Sequence, residues 1–137
     1  MNAASADQVY LDEPWLYLCW DASHSVVRSE WKGFANSAEF RAGVMKGLQA
    51  VRERQAVAYL SDTRKVKVIV REDQKWANET AAPLLAAAGL KRMAVVVADA
   101  GLGKVTVEET LRMINVQGLR IRAFNSKPEA MKWARDG

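Results

Sequence analysis

Ala56-Val57-Ala58-Tyr59-Leu60-Ser61-Asp62-Thr63-Arg64 opens as a short apolar run and stops in a cluster of hydroxyls and opposite charges. Such a run, bounded by polar residues, reads as a buried β-strand. In an open α/β sheet the carboxyl ends of the strands carry the ligand or partner site. Ser61 to Arg64 is therefore where function is expected. Asp62 and Arg64 stand two apart and project to the same side if the extended conformation continues. They form either a structural pair, with Asp62 accepting from nearby backbone amides, or a site where Arg64 grips an anion or an acidic partner residue.

Upstream, Trp15 to Trp20 follows Pro14 and is rich in β-formers, so it reads as a strand. Asp21-Ala22-Ser23-His24-Ser25 supplies turn chemistry. Ser25 to Trp31 returns as a second strand, with Val27 and Trp31 on one face and Arg28 and Glu30 on the other. Together they form an antiparallel hairpin, with Val9-Tyr10-Leu11 as a candidate third member. Asn36 is a good N-cap with Glu39 three positions on, and Phe40, Val44, Leu48 and Val51 recur at helical spacing as far as about Gln55. Gly43 and Gly47 weaken that helix, which points to close packing on the sheet.

Downstream, a helix is expected from about Glu72, kinked or split at Pro83 and ended by Gly89. Lys91 to Ala98 reads as a central parallel strand covered on both faces. Thr106-Val107-Glu108-Glu109 and Ser126-Lys127-Pro128-Glu129 both read as capping boxes. Between them, Leu119 to Phe124 alternates as an edge strand. A hairpin followed by α, β, α, β, α, β, α implies an α/β fold with a mixed, mostly parallel sheet and about four helices.

The chain has 137 residues, half of them apolar, which suits a single domain with a true core. We expect a flexible segment over residues 1–9 and one α/β domain over 10–137. The net charge of +4 permits anionic partners without identifying one. Lys65-Val66-Lys67-Val68-Ile69-Val70 interleaves its basic residues with aliphatics, where a nucleic-acid surface would use aromatics, so no nucleic acid is expected. No signal peptide or membrane-spanning run is evident. With Cys19 as the lone cysteine, a reducing cytoplasmic setting is expected.

Several marks together resemble the STAS/SEC14-type proteins with a SpoIIAA-like fold, small bacterial domains mostly of unknown function. They are Trp31-Lys32-Gly33, Leu60-Ser61-Asp62-Thr63-Arg64, Asp73 with Trp76, Pro83 followed by Gly89-Leu90-Lys91-Arg92-Met93-Ala94-Val95, Phe124, and Glu129-Ala130 with Trp133. The resemblance runs from about Tyr10 to Trp133. It implies a SpoIIAA-like sheet and a regulatory, non-enzymatic domain that binds partner proteins or small ligands. Anti-sigma-factor antagonists of this group are switched on a serine in an Asp-Ser-Ser-Gly turn. Here Asp62-Thr63-Arg64-Lys65 lacks the Ser-Gly step, and phosphate on Thr63 would meet Arg64 and Lys65 but crowd Asp62.

The remaining constellations fail specific tests. Gly101-Leu102-Gly103-Lys104 lacks the Walker spacing, because Ala98 and Val105 stand where Gly and Ser or Thr are needed. It reads as a loop feeding the Thr106 cap. His24 has no nucleophile elbow to serve, and one His with one Cys does not make a zinc site. We therefore expect no catalytic residues, metal or cofactor. The candidate partner or ligand site comprises Trp31, Ser61, Asp62, Thr63, Arg64 and Lys104, with a protein partner as first choice. The second choice is a small anionic or amphipathic ligand in a pocket lined by Trp31, Arg64 and Lys104. Trp15 and Tyr17, read as sharing one face of the first strand, are the candidate interface for a homodimer or partner.

Overall fold

The structure, a computed structural model, describes residues 7–137. Its six strands are β1 (Asp7–Glu13), β2 (Leu16–Asp21), β3 (Val26–Trp31), β4 (Ala58–Asp62), β5 (Arg92–Val96) and β6 (Arg120–Phe124). Its helices are α1 (Ser37–Arg54), α2 (Arg71–Trp76), α3 (Ala82–Ala87), α4 (Leu102–Met113) and α5 (Lys127–Asp136), with a π-helical turn over Ala77–Ala81 joining α2 to α3. The strands lie in the sheet in chain order, β1 to β6. The first three are antiparallel neighbours and the rest are parallel. This is the expected α/β fold with a mixed, mostly parallel sheet.

Sequential order has a consequence for the site. Right-handed crossovers made always in one direction put their helices on one face, so α1, α2–α3 and α4 form a single layer. Only α5, which follows the last strand, crosses to the opposite face, where Ala130 and Ala134 pack on Val26, Ala58, Leu60, Ala94 and Val96. Strand order never reverses, so no switch-point crevice opens between diverging helices.

Local chemistry sets the element ends. Asn36 and Glu39 exchange both bonds of a capping box at the start of α1, and the Ser126 hydroxyl accepts from the Glu129 amide at the start of α5. Gly43 and Gly47 let α1 sit against Leu16, Trp31 and Tyr59, where side chains would collide. Pro83 lacks an amide to donate, and the helix absorbs the loss by widening one turn earlier, with the Ala82 amide bonding back to Ala77. The expected split at Pro83 is therefore a π-turn in a continuous helical run.

Three expectations need correction. Residues 1–6 of the segment expected to be flexible lie outside the described residues, but Asp7, Gln8 and Val9 already belong to β1. The Thr106 capping box does not form: α4 begins at Leu102 behind an N-cap at Gly101, placing Lys104 in its first turn. The Thr106 hydroxyl is occupied elsewhere, accepting from the Ile69 amide at 2.9 Å and donating to the Gly103 carbonyl at 3.2 Å. Finally, Trp15 and Tyr17 do not share a face. Trp15 sits in the β1–β2 turn with its ring 6.4 Å from that of Trp31, toward α1. Tyr17 lies on the opposite face, where its hydroxyl reaches Asp7.

Candidate functional site

Strand alternation sends Tyr59, Ser61 and Thr63 toward the three-helix layer, and Ala58, Leu60 and Asp62 toward α5. The two sides of the expected site therefore do different things. On the α5 side Asp62 is buried, and its carboxylate accepts from Arg64 three times: from the backbone amide at 3.2 Å, from Nε at 3.0 Å and from Nη2 at 2.7 Å. Lys127 Nζ lies 4.0 Å away. Burial pushes the Asp62 carboxyl up, but the Arg64 guanidinium and amide, helped by Lys127, outweigh it and hold it below its ordinary value. Of the two readings that the spacing left open, these bonds match the structural pair. Arg64 keeps 47% of its side chain exposed and lines a cleft of about 320 Å³ with Glu30, Trp31, Asp62 and Lys65.

Thr63 is buried as well. Its hydroxyl donates to the Val96 carbonyl at 2.7 Å and its amide to the same oxygen at 2.9 Å, tying the end of β4 to β5. A kinase would have to break both bonds to reach it. Lys104 stands on α4 within 3.8 Å of Glu108 and joins neither Trp31 nor Arg64. Trp31, Arg64 and Lys104 thus do not line one pocket.

On the helix side the geometry is different. A cavity of about 330 Å³ lies between the sheet and the helix layer. Its deep walls are apolar: Leu85, Val95, Val107, Leu111, Ile114 and Ile121. Trp31 and Ser61, both named from the sequence, form part of its lining. Small residues make up part of the lining. Ser61 faces inward on β4, bonded to Ser29 of β3 at 3.3 Å, and the π-turn presents Ala77 and Ala81. Among the described residues no buried side-chain polar atom lacks a partner, so the lining makes no unmet polar demand.

The cavity opens at the carboxyl end of the sheet, between Gly33–Ser37 and Val66–Val70. A polar network spans the helices at this mouth. Buried Asp73 of α2 accepts from the Ser37 hydroxyl at 2.7 Å and from Arg41 Nε at 3.0 Å. Arg41 also lies over the Trp76 ring at 5.2 Å, and Trp31, Phe40 and Trp76 continue as an aromatic row. Ser37, Arg41, Phe40 and the Val66–Val70 wall were not singled out as a site from the sequence. The signals available were the inward-facing Ser61, and Asp73 with Trp76, which the sequence offered only as marks of the resemblance.

The hairpin's outer face holds its own cluster. Asp21 accepts from the Ser23 hydroxyl, from the His24 amide, and from Arg28, and its carboxylate lies 3.0 Å from His24 Nδ1. Burial raises the Asp21 carboxyl, yet these bonds, His24 foremost, leave it lowered. Burial also pushes the Cys19 thiol up to about 11, so at neutral pH it is a protonated core group. Among the described residues no three His, Cys, Asp or Glu side chains gather as a metal-holding group, and no helix is long and apolar enough to cross a membrane.

Asp21 and Asp62 are buried carboxyls that contribute to the expected acid response. Both carboxyls are lowered in the folded chain, so their stabilisation is complete above the unfolded value of about 3.9 and is lost as pH falls through the folded values. Urea denaturation from pH 6 downward should show stability dropping below about pH 4. Asp62→Ala should cost roughly 1–3 kcal/mol, toward the lower end because water can reach the released Arg64, and should flatten part of that acid slope. A variant with unchanged stability and slope would show that the pair does no structural work.

Comparison of the chain with protein-family models, with curated proteins and with solved structures found no match.

Proposed function

We propose that the protein is a non-enzymatic, STAS-like binding domain whose cavity takes a small amphipathic molecule. Its apolar part would lie between sheet and helices, and its polar head at the Ser37–Arg41–Asp73 mouth. One observation carries this reading: a cavity of about 330 Å³ with apolar deep walls and polar groups gathered at its opening. Ligand sites are concave, mainly apolar and typically about 300–1,000 Å³, with a few placed polar groups. At roughly 30 Å³ per water-sized group, there is room for about ten methylenes, and each buried one contributes about 0.8 kcal/mol. The head is read as anionic because the exposed Lys65, Lys67 and Arg71 lie within or beside the Val66–Val70 segment that lines the cavity.

The reading of a protein partner at Ser61–Arg64 has less support. Ser61, Asp62 and Thr63 are buried and bonded within the chain, which leaves Arg64 as the exposed member. A cytoplasmic setting remains part of the proposal, resting on the unpaired thiol of Cys19.

Decanoate, inorganic phosphate and ATP, each added to dialysed protein in a thermal-shift series, separate the ligand classes. Decanoate at about 100 times its Kd should raise Tm by about 5–10 °C and change tryptophan emission, because Trp31 lines the cavity. Phosphate and ATP should do neither. Flat curves with acyl ligands, and no copurifying molecule by native mass spectrometry, would remove the reading.

A further inference from the structure

Seven large apolar side chains are exposed among the described residues, and four of them sit at one end of the domain. Phe34, 64% exposed, follows β3, and Val70 precedes α2; both rim the cavity mouth. Leu102, 62% exposed, and Val105 belong to the first turn of α4. That turn is locked beside the rim, since Gly103 abuts the Val66 carbonyl and Thr106 holds the Ile69 amide. All these segments leave the carboxyl ends of parallel strands, so they face the same way.

Lys65, Lys67 and Arg71 are exposed and make no ion pair among the described residues. The acidic residues exposed at this end are Glu72, Asp99, and Asp12 and Glu13 at the end of β1, with Asp12 paired to Lys32. Exposed apolar side chains set among unpaired cations match a surface that offers apolar depth beneath anionic headgroups. A nucleic acid would be met instead by aromatics available for stacking, and Phe34 is alone in that role.

We infer that this end of the domain docks on an anionic lipid bilayer, with Phe34 and Leu102 entering the acyl region and Lys65, Lys67 and Arg71 on the headgroups. The mouth of the cavity then faces the lipid, which would be the source of its amphipathic occupant. That last step rests on the proposed ligand binding; the docking itself does not.

Cosedimentation of the full chain with vesicles tests it. Vesicles of phosphatidylcholine with about 30% phosphatidylglycerol should bind, and phosphatidylcholine alone should bind at least tenfold more weakly. Raising salt from about 0.1 M to about 1 M should remove most of the difference. Lys65→Gln/Lys67→Gln should weaken binding about 25-fold, at roughly fivefold per charge. Phe34→Ser/Leu102→Ser should weaken it at least tenfold, with unchanged melting because both side chains are exposed.

Equal binding to both vesicle types, wild-type binding by Phe34→Ser/Leu102→Ser, or binding to single-stranded RNA with none to vesicles would each overturn the proposal. Ala77→Leu/Ala81→Leu, which fills the cavity, distinguishes the two readings. It should lose decanoate and keep vesicle binding. Wild-type protein that binds vesicles but never decanoate leaves docking standing and removes the cavity reading; the reverse result removes docking alone.

Discussion

Gly103→Ala is expected to destabilise the domain by about 2 kcal/mol, and to lower Tm by about 5–8 °C. Two effects oppose each other. Alanine is the better helix former, by up to about 1 kcal/mol. Against that, its Cβ would fall on the backbone carbonyl of Val66, well inside van der Waals contact. Backbone cannot rotate away as a side-chain tip can, so α4 and the Val66–Lys67 segment must separate, and overpacking of this kind costs about 1–3 kcal/mol or more. The separation would also lengthen the bond from the Ile69 amide to Thr106. Gly47→Ala is the internal control. Its Cβ meets the hydroxyl end of Tyr59, a ring that borders the cavity and has space to move into. Urea denaturation should therefore rank Gly103→Ala as clearly worse. Equal costs would mean that the α4 contact with the linker is not the rigid element described.

The second large effect is on binding. Ala77→Leu/Ala81→Leu adds six carbons, about half of the cavity by volume at roughly 30 Å³ each. Decanoate affinity should fall at least a hundredfold, because the lost methylenes contribute about 0.8 kcal/mol apiece. Stability should hold or rise, since the new side chains occupy space that is empty and apolar. That combination separates a ligand cavity from a packed core, where the same change would strain the structure. Retained binding would place the ligand elsewhere. A collapse in Tm would show that the space is not available to side chains.

The pattern of what could be read in advance follows from where each determinant resides. Helix α1 was legible because Asn36, Glu39 and the Phe40–Val44–Leu48–Val51 stripe are local signals. That Asp62 and Arg64 project to one side was legible from their two-residue spacing on extended chain, but that they bond to each other is seen only in the structure. Thr106 misled because its cap spacing is local while its actual partner, Ile69, is 37 positions away. Trp15 misled because it turned out to be a turn residue, free of the strict alternation that governs Tyr17.

Composition and periodicity by themselves determined an α/β domain, a mixed sheet led by an antiparallel hairpin, and a polar terminus to β4. They did so because backbone hydrogen bonding and apolar alternation act over a few residues. Only the tertiary structure decided that strand order never reverses, that three helical units share one face, and that Ser61 and Asp62 look into separate environments. A cavity has no local signature. It is space left between β4, β5, α1, the π-turn and α4, and its volume depends on distances between residues far apart along the chain.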